Sequence, residues 1–287
     1  MCGSGRARVK FKPWRAVEDP VALYGAASGV RGTQWLVDCV DCGMIYESPR
    51  FPDQVILDGY SSVRDEHDSQ YDQRVLGFKR ALKSLLPRLP APPADVLDVG
   101  TAGGAFLEAA TTLGYRARGI EPSRSLVESA RARGLRVDQG TLDTLSLPEK
   151  SFDLICLWDV IEHLPQPEHA LRRLLPLLRP KGRLLINFPD AGTWPARLAG
   201  RRYWWILSVH LHHFTRKTLT NLCARVGFEV VHFQRFWTAL ELGYMEDMAV
   251  QLGVPDAVWL KRATPASLKK WTVRYTASQT TAVAQLR

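Results

Sequence analysis

Hydrophobic and polar positions follow two alternating periods along the chain from residue 94 onward. Short apolar runs have the length of buried strands, and between them lie segments whose apolar residues recur with the spacing of an amphipathic helix. Strands and helices that alternate in this way predict a parallel sheet with helices on both faces. The chain is therefore predicted to be α/β, with a doubly wound, mostly parallel, seven-stranded sheet whose strands carry ADVLDV, RARGIE, LRVDQG, FDLICLW, RLLINF, FEVVHF and TTAVAQ.

The helical segments carry start and stop residues. Ser123 is placed to cap the N-terminus of SRSLVESARARG, Gly134 is placed to end it, and Gly114 ends AFLEAATTL. TRKTLTNLCARVG has the pattern of a capped helix. PEHALRRLLPLLRPKG is predicted to be one helix that Pro176 kinks, because proline lacks the N–H that a helix interior uses.

Glycine and proline divide the chain into three parts. Residues 1–58 are punctuated by both and contain short β-type runs such as TQWLVDCV. Residues 59–93 are predicted to link this module to the rest through a helix over 71–86 and a proline-rich entry. The α/β domain is expected over 94–287, with a helical insertion at about 239–272 that forms a lid or a dimer contact.

The composition is that of a globular protein with a basic surface. The 287 residues have a formal net charge of +9, which suits nucleic acid, an anionic membrane surface or an acidic substrate. The arginines lie in short clusters rather than one block, which favours a solvated surface. No stretch approaches the roughly 18 apolar residues of a membrane-spanning helix, and the N-terminus lacks the apolar core of a signal peptide. Five unevenly placed cysteines argue against a disulfide framework, so a cytoplasmic location is expected.

The stretch VLDVGTAGG, residues 96–104, ends a predicted strand in a glycine-rich turn. Such a turn brings backbone N–H groups close to a ligand. Glu121 closes the next predicted strand, where a carboxylate can accept hydrogen bonds from a ribose diol. The spacing of the glycines departs from G-x-G-x-x-G, which argues against a pyrophosphate. A nucleoside ligand is therefore predicted, and the alternative is a tight turn that binds nothing.

Four segments in this order resemble the motifs of the class I S-adenosylmethionine-dependent methyltransferases: VLDVGTAGGAFLE, GIEPS, GTLDTLSLPEKSFDLICLWDVIEHLPQP and LLRPKGRLLINFP. The resemblance covers about residues 94–235 and implies a Rossmann-like sheet with S-adenosylmethionine as cofactor. The cofactor site that the resemblance implies comprises Asp98, then Gly100, Thr101, Ala102 and Gly103 at the methionine part, Glu121 at the ribose, Thr141 and Leu142 at the adenine, and Trp158 and Asp159 at the sulfonium. The alternative for Trp158 is that it is an ordinary core residue.

VDCVDCGMIYESPRFP resembles the second zinc knuckle that precedes the catalytic domain in many bacterial methyltransferases of this type. The resemblance implies a structural zinc, for which Cys2, Cys39 and Cys42 supply three of the four ligands that a tetrahedral site needs. The fourth zinc ligand would be a residue before the present start, His67 or a water. Alternatively, the site is relict and binds no metal. The alternative is a pair of reduced thiols in a β-hairpin. Cys156 and Cys223 lie in apolar patterns and are expected in the core.

The segment GTWPARLAGRRYWWILSVHLHHFTRKT follows the fifth strand and is similar to a substrate-proximal segment of the same methyltransferases. An imidazole has an ordinary pKa of about 6.5 and can act as a general base at neutral pH. His210 and His213 are the candidates here, and His163 in the VIEH stretch is the next. The alternative is that these histidines only make structural hydrogen bonds. The aromatic residues could line a substrate, enter a membrane interface or form core.

The sequence therefore predicts a methyltransferase that acts on an oxygen of a small molecule or of a sugar or glycan acceptor. Positioning of the nucleophile and the methyl group in line is the main task of such a site, so no catalytic triad is required. Two alternatives stay open. One is a methyltransferase that acts on RNA or protein, and the other is a non-catalytic module that keeps the fold. The sequence leaves the oligomeric state open.

Overall fold

The computed structural model describes residues 2–17, 19–24, 30–64, 70–251 and 256–287. Its strands, in chain order, are β1 (Ala7–Phe11), β2 (Leu36–Cys39), β3 (Ile45–Glu47), β4 (Asp95–Val99), β5 (Arg116–Glu121), β6 (Val137–Gln139), β7 (Phe152–Trp158), β8 (Leu178–Pro189), β9 (His212–His213), β10 (Phe228–Arg235), β11 (Thr238–Glu241), β12 (Thr272–Tyr275) and β13 (Gln279–Leu286).

The α-helices of the described residues range from single turns to four turns. Among them no helix combines the length and the apolar composition needed to span a bilayer. The helices are α1 (Pro20–Leu23), α2 (Asp53–Ser61), α3 (Tyr71–Leu85), α4 (Ala105–Thr112), α5 (Arg124–Ala132), α6 (Pro167–Leu174), α7 (Trp194–Ala199), α8 (Arg216–Val226), α9 (Leu242–Gln251), α10 (Ala257–Ala263) and α11 (Ala266–Lys269).

A seven-stranded sheet in the order β10-β13-β8-β7-β4-β5-β6 forms the central layer. The pairs β4–β5, β4–β7, β5–β6 and β7–β8 are parallel, and β13 runs antiparallel to both of its neighbours. The predicted α/β fold with a mostly parallel seven-stranded sheet is therefore confirmed. The chain continues to opposite sides of β4, so the turn after Val99 lies at the switch point, where ligands of such sheets bind.

Residues of β7 alternate between the two faces of the sheet. Leu154 and Cys156 belong to one core cluster, which α3 and α4 cover, while Ile155 and Leu157 belong to the other, which α6 and α8 cover. This alternation follows from the two-residue period of a strand. Cys223 on α8 is also buried, so both cysteines expected in the core are confirmed there. Each fully buried Leu or Ile side chain contributes about 1.5–3 kcal/mol to folding.

The predicted helix ends are confirmed. The Ser123 hydroxyl accepts a hydrogen bond from the backbone N–H of Leu126, and Gly134 follows α5 with a φ of +78°. Gly114 follows α4 with a φ of +90°. Thr215 forms a capping box at the start of α8. Local hydrogen bonds of this kind depend on neighbours in sequence, which is why the pattern alone locates them.

The prediction for PEHALRRLLPLLRPKG is wrong in its second half. Pro176 does not kink a continuing helix, because α6 ends at Leu174 and a single 3-10 turn, Leu175–Leu177, follows it. The missing N–H of the proline ends the α-helical hydrogen bonding at this point. Leu178 already pairs with Phe152 in the sheet, so the last residues of the segment begin β8.

A second sheet, in the order β1-β2-β3-β9, is antiparallel throughout. Three of its strands come from the predicted N-terminal module, and β9 comes from the histidine segment of the larger domain. Leu36 packs with Ala196 and Tyr203 of that same segment in one buried cluster. Helices α1 and α2 were not predicted, and the expected boundary at residue 58 lies inside α2.

The predicted insertion is enclosed by a two-stranded sheet. Strands β11 and β12 pair antiparallel, from Thr238 opposite Tyr275 to Glu241 opposite Thr272. Between them lie α9, α10 and α11, in the stretch where the helical insertion was predicted. Gln70 accepts a hydrogen bond from the backbone N–H of Glu241, which fixes the start of the insertion beside α3.

Candidate active site

The glycine-rich turn leaves β4 in a conformation that few side chains tolerate. Gly100 and Gly104 have φ values of +70° and +90°, and a Cβ on Gly100 would lie 2.8 Å from Cγ2 of Val160. The backbone N–H of Gly100 donates to the carbonyl oxygen of Ile120 on β5. No atom of the described residues lies within 4 Å of the position that a Cβ on Gly103 would take. The turn is thus held against its neighbours on one side and open at Gly103.

Glu121 ties the end of β5 to this turn. Its two carboxylate oxygens accept hydrogen bonds from the backbone N–H groups of Ala102 and Ser123, each at 3.0 Å. The side chain is buried, and burial raises its pKa. Each oxygen keeps a second lone pair, so the carboxylate can accept further hydrogen bonds from a bound diol. The glycine-rich turn and Glu121, which the sequence predicted to bind the same nucleoside, are therefore adjacent.

Asp98 lies under the turn, on β4. It is buried, and its Oδ1 atom has no hydrogen-bond partner among the described residues. Burial raises the pKa of this carboxyl to about 8. Thr101, next in the predicted set, is buried in the turn itself. A buried carboxyl oxygen without a partner costs free energy, which a ligand that donates a hydrogen bond or carries a positive charge would recover.

Asp159 follows β7 with a φ of +53° and is held from two strands. Asn187 of β8 and Gln279 of β13 both donate side-chain hydrogen bonds of 2.8 Å to its carboxylate. Burial raises its pKa to about 6. Trp158 turns the other way and packs in an aromatic cluster with Phe78, Phe106 and Phe236. Of this adjacent pair, the structure places Asp159 at the crevice and Trp158 in the core.

Thr141 and Leu142 follow β6, on the other side of Glu121. Gly140, which precedes them, donates its backbone N–H to the carbonyl oxygen of Glu121 at 2.9 Å. Thr141 is partly exposed and donates its own N–H to the hydroxyl of Thr144. Leu142 is buried. The residues predicted to border the adenine therefore begin next to Glu121, the residue predicted to bind the ribose.

His163 and His210 lie together in the interior, with ring centres 4.7 Å apart. Tyr60 reaches them from α2, and its hydroxyl lies 2.8 Å from Nδ1 of His163. The Nδ1 atom of His210 lies 2.8 Å from the carbonyl oxygen of Trp205, whose ring stacks on the imidazole. Because a carbonyl oxygen only accepts, Nδ1 of His210 carries the proton and Nε2 has the free lone pair.

His213 lies farther from His210 than His163 does. Its ring centre lies 6.2 Å from that of His210, and its Nε2 atom has no hydrogen-bond partner among the described residues. It pairs with Ile45 across the second sheet. Burial lowers the pKa values of His163 and His213 to about 4 and that of His210 well below its ordinary value. All three imidazoles are therefore neutral at pH 7.

Glu162 was missed by the sequence prediction, although it stands next to His163. It is buried, and neither of its carboxylate oxygens has a hydrogen-bond partner among the described residues. One ligand atom each from Glu162, His163 and His210 lie within 4.8 Å of one another, so this group could also hold a metal ion. Burial raises the pKa of Glu162 well above its ordinary value. The sequence does carry a signal for it: Glu162 is an acidic residue in the otherwise largely apolar stretch VIEHL, which contains no lysine or arginine.

Cys2, Cys39 and Cys42 are brought together in and beside the β2–β3 hairpin. Their sulfur atoms lie within 4.8 Å of one another, with Cys2 and Cys39 at 3.5 Å. Backbone N–H groups, that of Cys42 first, lower the pKa of the Cys39 thiol, which favours the thiolate that metals bind. His67, the suggested fourth ligand, lies outside the described residues. The three thiols could hold zinc together with one further ligand.

The fold and the residues at the carboxyl end of β4 and β5 define a class I S-adenosylmethionine-dependent methyltransferase. A model of the methyltransferase domain family matches residues 70–233, which is more than half of the chain. The chain therefore belongs to the family of S-adenosylmethionine-dependent methyltransferases. The resemblance that the sequence motifs indicated is confirmed.

Named relatives and solved structures agree with this family. Ubiquinone biosynthesis O-methyltransferase of Xylella fastidiosa is 33% identical over 130 residues, which cover 43% of this chain and 52% of the relative. That of Xanthomonas oryzae is 35% identical over 107 residues, which cover 35% and 45%. The chain thus spans about half the length of the curated relatives that it matches.

Structural similarity extends over more of the chain. A methyltransferase of Thermotoga maritima superposes with a TM-score of 0.52 at 21% identity, over 78% of this chain and 96% of that one. One of Archaeoglobus fulgidus also has a TM-score of 0.52, at 18% identity, over 75% and 96%. At these identities the structures show the shared fold.

Proposed function

We propose that this methyltransferase transfers the methyl group of S-adenosylmethionine to a hydroxyl oxygen of a small molecule. The observation that carries the proposal is the buried group of His163, His210 and Glu162 beside Asp159, which follows β7. The two relatives compared above are named O-methyltransferases of ubiquinone biosynthesis, which supports an oxygen acceptor. Their names concern a small-molecule product, so a small molecule is proposed here rather than a glycan, a protein or a nucleic acid.

The residues around the glycine-rich turn fit the cofactor. The open backbone at Gly103, the unpartnered oxygen of Asp98 and the carboxylate of Glu121 offer space, a site for a cation and a site for a diol. When bound, the cofactor supplies an electrophilic methyl group. The proposed cofactor-binding residues are Asp98, Gly100, Thr101, Ala102, Gly103, Glu121, Thr141, Leu142 and Asp159.

The turn that carries Glu162 and His163 touches the cofactor turn directly. Val160, two residues before Glu162, lies against Gly100 closely enough that a Cβ on the glycine would overlap it. The histidine group is therefore on the crevice side of the sheet. An acceptor that reaches the methyl group from this side would place its hydroxyl toward His163 and His210.

His210 is the proposed general base. Its Nε2 lone pair can take the proton of the acceptor hydroxyl while that oxygen forms the new bond to the methyl carbon. The imidazolium formed would be buried with the Glu162 carboxyl within 4.8 Å, and its positive charge would favour ionisation of that carboxyl. His163, fixed by Tyr60 and the carbonyl oxygen of Val209, holds the neighbouring ring in place. His213, on the neighbouring strand β9, is the alternative base.

The test is methyl transfer from radiolabelled S-adenosylmethionine to a panel of phenols, catechols and matched amines. We expect transfer to hydroxyl acceptors, and we expect His210→Gln to lower kcat by about 100-fold, the size typical of lost general-base catalysis. His169→Gln, an exposed histidine on α6, is the control and should retain wild-type kcat. Transfer to the amines alone, or an unchanged kcat in His210→Gln, would overturn the proposal.

We also propose that Cys2, Cys39 and Cys42 hold a structural zinc ion. Zinc would crosslink the N-terminal residues to the β2–β3 hairpin and thereby stabilise the second sheet. We expect about one zinc per chain by elemental analysis and a loss of zinc in Cys39→Ser, with Cys223→Ser as the buried-thiol control. Zinc-free wild-type protein after expression in zinc-supplemented medium would contradict this. The five cysteines all lie in the described residues and none forms a disulfide, which supports the proposed cytoplasmic location.

A further inference from the structure

Two large apolar side chains are exposed on the segment that follows β8. Trp194 and Leu198 lie one helical turn apart on α7, and 73% and 79% of their surfaces are exposed. Between them in sequence, Ala196 is buried against Leu36 of the second sheet. The inner side of α7 is thus fixed to the protein, while its two largest apolar side chains face solvent.

Trp14 extends this surface onto the neighbouring N-terminal loop. It is 47% exposed, and the guanidinium carbon of Arg201 lies 5.9 Å from the centre of its ring. A cation over a tryptophan ring is a favourable contact, and here it joins the end of α7 to the loop. We refer to Trp14, Trp194, Arg197, Leu198 and Arg201 as the α7 surface.

The two sequence stretches that carry the α7 surface are cationic. Residues 191–207 contain three arginines, Arg197, Arg201 and Arg202, all exposed, and no acidic residue. Residues 9–17 add two lysines and one arginine, again without an acidic residue. Exposed tryptophan and leucine surrounded by cationic side chains have the composition of a surface that binds at the interface of an anionic bilayer.

We propose that the α7 surface docks the enzyme on membranes that contain anionic lipids. Trp14 and Trp194 would lie at the headgroup level, Leu198 would enter the acyl boundary, and the arginines would contact lipid phosphates. A single-stranded nucleic acid would also use cations and aromatic rings. Leu198 decides between them, because an aliphatic side chain has no stacking role and is the most exposed of the three.

Docking here would also orient the active site. The chain runs from α7 to Trp205, whose ring stacks on His210, and the indole N–H groups of Trp204 and Trp205 both point to the carbonyl oxygen of Ala277. The segment that meets the membrane therefore continues into the histidine group. The docking itself does not depend on which acceptor is methylated.

The test is flotation of the purified full chain with vesicles of phosphatidylcholine alone or mixed with phosphatidylglycerol. We expect binding to the mixed vesicles only, and weaker binding as salt rises. Trp194→Ser with Leu198→Ser should lower the apparent affinity by about tenfold or more. These side chains are exposed, so circular dichroism and thermal unfolding of the variant should match the wild type.

Trp259→Ser is the matched control, since Trp259 is 69% exposed on α10 and is flanked by Lys261 and Arg262. We expect wild-type binding from it. Equal losses in the control and the α7 variant, or no binding by the wild type, would overturn the proposal. So would tighter binding to a single-stranded RNA than to the vesicles, if the same α7 variant abolished it.

Discussion

The carboxylate of Glu121 accepts a hydrogen bond from the backbone N–H of Ala102 at 3.0 Å. The contact joins the end of β5 to the turn after β4, so the proposed ribose ligand and the proposed methionine cradle are one unit. A change in the side chain therefore affects both the direct contact with the cofactor and the shape of the turn that surrounds it.

Replacement of Glu121 by alanine should weaken binding of S-adenosylmethionine by at least about tenfold, because the proposed hydrogen bonds between the carboxylate and the ribose diol would be lost. Titration calorimetry with S-adenosylmethionine and its demethylated product measures this. Glu128→Ala on α5 is the control, since that glutamate is exposed and pairs only with Arg124 in the described contacts. Unchanged affinity in Glu121→Ala would remove the ribose assignment.

Gly104→Ala should destabilise the fold by about 1–3 kcal/mol. The residue has a φ of +90°, and a Cβ there would lie 2.4 Å from Cδ1 of Leu135. Gly103→Ala is the matched control, because Gly103 has no positive φ and nothing lies within 4 Å of its Cβ position. Urea unfolding of the two variants should separate them clearly. Similar stabilities would show that backbone strain does not shape this turn.

His213 should make the free energy of unfolding depend on pH. Burial lowers its pKa from 6.5 to about 4, so the unfolded chain binds a proton that the folded chain does not bind between these values. Its contribution to stability is complete above pH 6.5 and is lost as pH falls toward 4. From pH 7.5 to 4.5 the wild type should therefore lose about 2–3 kcal/mol relative to His213→Gln.

Urea unfolding at a series of pH values measures this difference. Groups remote from His213 contribute alike in both proteins and cancel, whereas His210 and His212, whose pKa values the charge of His213 also lowers, add to the measured difference. Curves for His213→Gln that run parallel to those of the wild type would show that His213 is not buried in its neutral form.

Asp98→Asn should show the opposite dependence. Burial raises the pKa of Asp98 from 3.8 to about 8, so ionisation opposes folding as pH rises between these values. Without cofactor, the variant should gain at least about 2 kcal/mol relative to the wild type from pH 5 to pH 8. It should also bind S-adenosylmethionine more weakly. A constant difference in unfolding free energy across this pH range would contradict the burial of this carboxyl in its neutral form.

The sequence by itself determined the parts whose causes are local. Apolar runs of strand length and helical periodicity gave the seven strands and their class of fold, and Ser123, Gly134 and Thr215 marked helix ends through hydrogen bonds to near neighbours. The glycine-rich turn and Glu121 were identified from spacing alone, because consecutive parallel strands end at the same edge of the sheet.

Only the tertiary structure decided contacts between segments far apart in the chain. It placed His212 and His213 in the N-terminal sheet, brought Tyr60 to His163, and turned Trp158 into the core while Asp159 faces the crevice. It also revealed Glu162 as a buried carboxylate without a partner among the described residues. These relationships depend on which faces of the elements pack together. A shift by one residue along a strand turns a side chain to the opposite face, so no local pattern specifies these contacts.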